Sequence, residues 1–228
     1  MKTIISEILI KECPFLTSSQ LERFEAYAEL ICEENKKYNL TAITEETDIA
    51  VKHFADSLAA LNDIPDGASV IDIGSGAGLP GIPLLIVRHD IKLTLLDATE
   101  KKTLFIKTAL NKLGLNASVV CARAEEAQDM REKFDIAVSR AVAPLRVLCE
   151  LCMPFVKIGG MFIAYKGKNA DEELREAKKA IETLGGGDVK TQEYVLPDND
   201  RKLIIIGKKT ACSQNFPRQY SKIKKNPL

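Results

Sequence analysis

The spacing of apolar and polar residues changes along the chain, and the change falls near residue 66. Before that point, 17–37 and 47–61 repeat apolar side chains at helical spacing, so residues 1–62 are predicted to be helical. After it, short apolar runs alternate with helical stretches. That alternation predicts a mostly parallel sheet with helices on both of its faces.

Seven apolar runs in the second part of the chain are predicted to be strands, over 69–73, 92–97, 117–121, 134–139, 160–166, 190–196 and 202–207. Helices are predicted between them, over 79–88, 99–113, 124–130, 144–154 and 170–184. Only a short turn, 197–200, separates the last two strands, so we expect an antiparallel hairpin at the end of the sheet. Five strand–helix units closed by a hairpin are typical of class I S-adenosylmethionine-dependent methyltransferases, whose seven-stranded sheet is Rossmann-like.

The same pattern divides the chain into a helical N-terminal cap over 1–62, a methyltransferase domain over 63–210 and a basic C-terminal tail over 211–228. The whole chain has a formal net charge of zero, yet 201–228 carry eight Lys or Arg residues and no Asp or Glu. A basic segment on an otherwise acidic body predicts a polyanionic partner such as RNA. A terminus that only increases solubility is the alternative.

A glycine-rich loop follows the first predicted strand and carries the most specific chemistry of the chain. Asp72 lies near the end of the strand, and Gly74, Gly76 and Gly78 follow at alternate positions. Glycine permits positive φ angles and lets the backbone approach a ligand closely. The helix that begins just after the loop adds unpaired N–H groups. The loop therefore predicts a cofactor of the nucleotide type.

The spacing of these glycines distinguishes between cofactors. Dinucleotide sites use G-x-G-x-x-G, whereas this loop has G-x-G-x-G with Asp72 just before it. S-adenosylmethionine has no pyrophosphate, and its cationic groups suit a nearby carboxylate. Asp97, at the end of the second strand, is placed to accept ribose hydroxyls, and Ala124 and Glu125 fall where the adenine is expected. A nicotinamide-dependent oxidoreductase on the same type of fold stays the alternative.

Five motifs occur in a fixed order along the chain, namely NLTAIT at 39–44, KHFADS at 52–57, DIGSGAGLPG at 72–81, FDIAVSRAVAP at 134–144 and YKG at 165–167. Together they resemble the RsmG (GidB) family of small-subunit rRNA guanine-N7 methyltransferases over nearly the whole chain. The resemblance implies methyl transfer from S-adenosylmethionine to N7 of one guanine in the 530 loop of 16S rRNA. It also implies cofactor contacts at Gly74, Leu79, Ala124, Glu125 and Arg140.

The residues after the fourth strand agree with that chemistry. Guanine N7 is an unprotonated lone-pair acceptor, so its methylation needs no general base and depends on positioning. An amino-group methylase would carry an Asn/Asp-Pro-Pro-aromatic motif here, whereas this chain has Ser139-Arg140-Ala141-Val142. We expect Arg140 to be the catalytic residue, holding the cofactor carboxylate or an RNA phosphate. An ion pair with a nearby acid is the alternative role.

Six further residues are candidates for contact with the RNA substrate. His53, Asp56 and Ser57 share one helical face, as a wall of the pocket or as a brace between the N-terminal helices and the sheet. Asn39 belongs to a turn or to a loop that lines the site. Phosphate contacts are expected from two basic residues, Lys166 and Arg218.

Composition limits the remaining possibilities. Apolar residues make up 46% of the chain, which predicts a packed core, and no apolar run approaches the roughly 18 residues of a membrane span. We expect a cytoplasmic monomer whose partner is 16S rRNA, the small ribosomal subunit or its assembly intermediate. A ribosome-binding protein without catalytic activity is a further alternative. Cys149 and Cys152 lie in an apolar helical stretch, which predicts buried thiols and no metal.

Overall fold

Seven strands form one sheet, in the order β3-β2-β1-β4-β5-β7-β6, in the computed structural model, which describes residues 3–37, 40–140, 142–197 and 199–228. The strands are β1 Ser69–Ile73, β2 Lys92–Asp97, β3 Ser118–Cys121, β4 Phe134–Arg140, β5 Val156–Lys166, β6 Gly186–Leu196 and β7 Asn199–Lys208. Strands β1 to β5 pair in parallel, and β7 is antiparallel to both β5 and β6. The predicted fold and its terminal hairpin are confirmed.

Nine α-helical segments accompany the sheet in the described part of the chain: α1 Ile4–Glu12, α2 Ser18–Asn35, α3 Glu46–Asp48, α4 Asp56–Leu58, α5 Gly81–Val87, α6 Glu100–Leu113, α7 Leu145–Cys152, α8 Ala170–Thr183 and α9 Tyr220–Lys225. A π-helical segment, Ile49–Ala55, joins α3 to α4 where one regular helix was predicted. The α-helix predicted over 124–130 is wrong. Two 3-10 turns, Ala124–Glu126 and Gln128–Met130, occupy it, because such short connections favour the tighter turn.

The two faces of the sheet bury two separate hydrophobic clusters. Successive side chains of a strand point to opposite faces, so Val70 belongs to the first cluster and Ile71 to the second. The first cluster also contains Phe24 and Tyr27 of α2, which pack against Phe54 with ring centroids 5.0 and 5.4 Å apart. The N-terminal helices therefore share a core with the sheet, while the division into three domains stays a prediction.

The C-terminal segment packs against the other face of the sheet. Cys212 and Ile223 are buried in the second cluster. Arg218 makes a bidentate pair with the fully buried carboxylate of Glu150, at 2.7 and 2.6 Å. A buried carboxylate is costly without such a partner, so this pair fixes the segment on α7. Cys212, Arg218 and Ile223 of the basic region thus pack against the rest of the protein, while the boundary of a separate tail at 211 stays a prediction.

The structure confirms the prediction of buried thiols in α7. Cys149 and Cys152 are both inaccessible to solvent, and burial raises the pKa of Cys149 to about 12. Within the described ranges there is no group of three or more His, Cys, Asp or Glu residues that could hold a metal ion. No helix in the same ranges is both long enough and apolar enough to cross a membrane.

Candidate active site

A cleft opens at the carboxyl ends of β1, β2 and β4, where the strand order reverses and ligands bind in sheets of this kind. Its volume is about 620 Å³. It brings together the predicted residues His53, Asp56, Gly74, Gly76, Leu79, Asp97 and Arg140. A smaller cavity of about 180 Å³ adjoins it and is lined by the predicted residues Gly74, Asp97, Ala124 and Glu125. The sequence-derived set of residues therefore falls mostly in one place.

The glycine loop forms the floor of the cleft. Gly76 has a φ of 58°, and its N–H donates to the carboxylate of Asp97 at 2.9 Å. A Cβ at this position would meet only the carbonyl oxygen of Gly74, at 3.9 Å, so a side chain at 76 would extend into open space. The bare backbone at Gly76 leaves that space available to a ligand, which fits a cofactor held closely against the loop.

Two predicted cofactor contacts, Asp72 beneath the loop and Gly78 at its end, do not line either cavity. Asp72 is fully buried and accepts a hydrogen bond from the Gly81 N–H at 2.8 Å. A Cβ at Gly78 would lie 2.5 Å from Ile82 and 2.9 Å from the Tyr27 hydroxyl. The expected direct contact from Asp72 is therefore corrected to a supporting role. Its burial raises its pKa to about 7.

Asp97 stands between the two cavities, at the end of β2. One carboxylate oxygen accepts the Gly76 N–H, and the other accepts the Thr99 N–H at 2.8 Å. These two bonds fix its orientation, and each carboxylate oxygen retains a further lone-pair direction. The arrangement fits a pair of ribose hydroxyls, as the sequence predicted for Asp97.

Arg140 lies at the end of β4 and makes the ion pair that was its alternative role. Its guanidinium donates to Asp56 at 2.7 Å and to the carbonyl oxygen of His53 at 3.2 Å. Asp56 is 2% exposed and also accepts from the Tyr194 hydroxyl at 2.7 Å, with the Arg201 Nε atom 3.6 Å away. Arg140 still lines the cleft, so a ligand would meet a guanidinium already fixed in place.

His53 and Ser57 occupy the same helical face but have different surroundings. His53 lines the cleft, and its Nε2 atom lies 2.9 Å from the Thr41 hydroxyl. Burial, and secondly the charge of Arg140, lower the pKa of His53 to about 4, so the imidazole is neutral at pH 7. Ser57 is fully buried, and its carbonyl oxygen accepts from the Tyr165 hydroxyl at 2.7 Å. Ser57 is thus a brace, the second of the two roles predicted for this face, and it does not line the cleft.

The predicted phosphate contacts are already paired within the protein. The Lys166 ammonium group lies 2.7 Å from Glu173 and donates to the Ala143 carbonyl, although the residue does border a neighbouring cavity of about 390 Å³. Arg218 lines neither that cavity nor the cleft, because its guanidinium is held by Glu150. Asn39 lies outside the described residues.

Three residues that the sequence did not single out line the site. Tyr194 and Arg201 face each other across the β6–β7 hairpin, and both border the cavity next to Arg140. The predicted strands 190–196 and 202–207 contained a usable signal, because closing that hairpin brings 194 beside 201. Tyr220 of α9 borders the smaller cavity, and nothing in the local sequence indicated that placement.

Comparison with known proteins agrees with this geometry. A family model described as rRNA small subunit methyltransferase G matches residues 20–204. A relative of that name from Acetivibrio thermocellus is 46% identical over 220 residues, covering 93% of this chain and 90% of that protein. Another from Desulforamulus reducens is 44% identical over an alignment of 237 residues, covering 99% of this chain and 98% of that protein.

Solved structures of methyltransferases share the fold. An S-adenosylmethionine-dependent O-methyltransferase from Thermotoga maritima matches with a TM-score of 0.55 and 18% identity, covering 80% of this chain and 72% of that chain. The M. jannaschii enzyme TYW2, solved in complex with S-adenosylmethionine, matches with a TM-score of 0.53 and 13% identity, covering 66% and 74%. At these identities the likeness concerns the fold. The full-length sequence matches carry the assignment: the chain belongs to the rRNA small subunit methyltransferase G family, and it is an S-adenosylmethionine-dependent rRNA methyltransferase.

Proposed function

We propose that the protein transfers the methyl group of S-adenosylmethionine to N7 of a guanine in the 530 loop of 16S rRNA, guanine 527 in the usual rRNA numbering. The observation that carries this proposal is that both carboxylates in the cleft are already held by hydrogen bonds within the protein. Asp56 is paired with Arg140 and Tyr194, and Asp97 holds two backbone N–H groups. Such a cleft suits a nucleophile that needs positioning and no removal of a proton.

The cofactor would lie across the glycine loop, and when bound it supplies an electrophilic methyl group on a sulfonium. Asp97 would accept hydrogen bonds from the ribose hydroxyls, and the smaller cavity beside Ala124 and Glu125 would hold the adenine. The loop residues Gly74, Gly76 and Leu79, which line the cleft, would lie beneath the amino-acid part. Arg140, fixed by Asp56, presents positive charge to the cofactor carboxylate.

The target guanine would enter the part of the cleft between His53, Arg140 and the hairpin residues Tyr194 and Arg201. Its N7 lone pair would form the new bond to the methyl carbon as the carbon–sulfur bond of the cofactor breaks, and N7 carries no proton to lose. Because His53 is neutral, it adds no positive charge that would repel the methylated base. The chain's contribution is to hold the nitrogen in line with the methyl group.

Contacts with the rRNA backbone are assigned to exposed lysines of α9. Lys222, Lys224 and Lys225 are exposed on that helix, whereas the sequence-derived candidates Lys166 and Arg218 are paired internally. Phosphate contacts supply sequence-independent affinity that falls with salt. We propose that the substrate is 16S rRNA in the small subunit or its assembly intermediate, and that the protein acts there as a cytoplasmic monomer.

Methyl transfer to defined rRNA tests this function. The protein would be incubated with labelled S-adenosylmethionine and small subunits that lack the modification, and the labelled nucleotide would be mapped. A matched rRNA fragment with 7-deazaguanine at the target, which has carbon in place of N7, should accept no label. Transfer to the 7-deaza fragment, or label elsewhere in the rRNA, would contradict the proposal.

A further inference from the structure

The smaller cavity has one wall that belongs to the C-terminal segment. Its other walls come from the ends of β1 and β2, from the loop after β3, from Val142 after β4 and from Leu151 of α7. Leu96, Ala98 and Ala124 make much of its surface apolar, and Tyr220 stands at its edge. The volume of about 180 Å³ is the size of a single heterocyclic base, not of a whole nucleoside.

The position of Tyr220 is fixed by contacts on either side of it. Its backbone N–H donates to the carboxylate of Glu125 at 2.9 Å. Two residues before it, Arg218 pairs with the buried Glu150, and three residues after it Ile223 is fully buried. A half-buried aromatic ring held in this way is available to a flat ligand without a large loss of side-chain freedom.

We infer that Tyr220 is a cofactor-binding residue and that its ring forms one wall of the adenine site. The C-terminal segment is then part of the cofactor pocket, although it is distant in sequence from the glycine loop. The contact with Glu125 carries this inference, because it joins the residue expected beside the adenine to the helix that bears the ring. The inference rests on the proposed placement of the adenine beside Ala124 and Glu125.

Calorimetry with two ligands tests the inference on the full-length protein. S-adenosylhomocysteine carries adenine, ribose and the amino-acid part, whereas 5′-methylthioadenosine lacks the amino-acid part. We expect Tyr220→Ala to raise the Kd of both ligands about tenfold, which corresponds to about 1.4 kcal/mol. Tyr220→Phe keeps the ring and should bind both ligands as the wild type does. Ser221→Ala, an exposed change on the same helix, is the matched control.

Steady-state kinetics separate a binding role from a merely structural one. If Tyr220 contacts the adenine equally in the ground state and the transition state, its removal should raise KM for S-adenosylmethionine and leave kcat unchanged. If Tyr220→Ala loosens α9, Tyr220→Leu keeps apolar bulk against the second hydrophobic cluster and should still raise the Kd about fivefold. Wild-type affinity in a folded Tyr220→Leu protein would overturn the inference.

A variant of Asp97 separates failure of this inference from failure of the proposed cofactor placement. Asp97→Ala should weaken both ligands, because both contain the ribose. If it does so while Tyr220→Ala and Tyr220→Leu bind normally, the placement stands and the role of Tyr220 is wrong. If Asp97→Ala binds both ligands as tightly as the wild type, the placement and the inference fall together.

Discussion

The buried imidazole of His53 should make stability depend on pH in a way that one substitution removes. His53 is 8% exposed, and its pKa is lowered to about 4 from the ordinary value of 6.5. The unfolded chain takes up a proton on this residue below pH 6.5, whereas the folded protein does so only near pH 4. The contribution of His53 to the free energy of unfolding is therefore at its full value above pH 6.5 and is lost as the pH falls towards 4.

The size of this effect follows from the pKa of His53 in the unfolded and folded chains. A tenfold difference in proton affinity corresponds to about 1.36 kcal/mol, so the two pKa values together imply about 3 kcal/mol. Between pH 7.5 and pH 4.5 the stability lost through protonation of His53 is roughly 2 to 3 kcal/mol. The buried Asp72 acts in the opposite direction, because its pKa is raised to about 7 and its folded form is favoured as the pH falls. The wild-type pH profile alone would therefore conceal both effects.

Urea unfolding of matched variants isolates the effect of His53. The free energy of unfolding would be measured at pH 7.5 and pH 4.5 for the wild type and for His53→Gln, whose side chain can still hydrogen-bond to Thr41. We expect the wild type to lose roughly 2 to 3 kcal/mol more than the variant over this range. His89→Gln, at the chain's other histidine, is exposed and is the control. Equal losses in the wild type and His53→Gln would refute the argument.

Three more predictions concern buried or basic groups of the site. Between pH 5 and pH 8 the free energy of unfolding of Asp72→Asn should rise by about 3 kcal/mol relative to that of the wild type, because the wild type must bury a charge as the pH rises. Urea unfolding at both pH values measures this difference, and a difference that does not change with pH would contradict the prediction. Arg140→Met and Asp56→Asn should each lower the free energy of unfolding by about 3 kcal/mol, and the double variant should lower it by less than the sum of the two. Strictly additive losses in unfolding experiments would mean that the two residues are not coupled. Changing Lys222, Lys224 and Lys225 to Gln should reduce the magnitude of the slope of log K against log salt for rRNA binding by about 2 to 3. Lys11→Gln on α1 should leave the slope unchanged. An unaltered slope in the α9 variant would show that α9 does not contact the RNA.

The sequence predicted the parts of the fold that depend on short-range patterns. Strands β1 and β2 have the predicted bounds, because their apolar runs end at residues that leave the sheet. The helix over 47–61 was predicted in the right place, but its π-helical turns were not, since an apolar stripe does not distinguish i+4 from i+5 hydrogen bonding. A local pattern therefore locates an element better than it defines the element's inner geometry.

The site residues that were placed wrongly depend on partners from distant parts of the chain. Lys166 and Arg218 carry charges that would suit a phosphate, but Glu173 and Glu150 neutralise them in the folded protein. Asp72 could have been placed better from the period of a strand, which puts it on the same face as Val70, under α5. Pairing across the tertiary structure has no comparable signal in a single sequence.

Asp56 shows why the cleft, the N-terminal helices and the hairpin form one unit. Its carboxylate is almost fully buried, and its partners come from three strands: Arg140 from β4, Tyr194 from β6 and Arg201 from β7. A buried carboxylate without them would cost several kcal/mol, so α4 is stable in this position only when the sheet and hairpin are in place. The same side chain lines the cleft, and therefore the completed fold determines the arrangement of charge that the substrate meets.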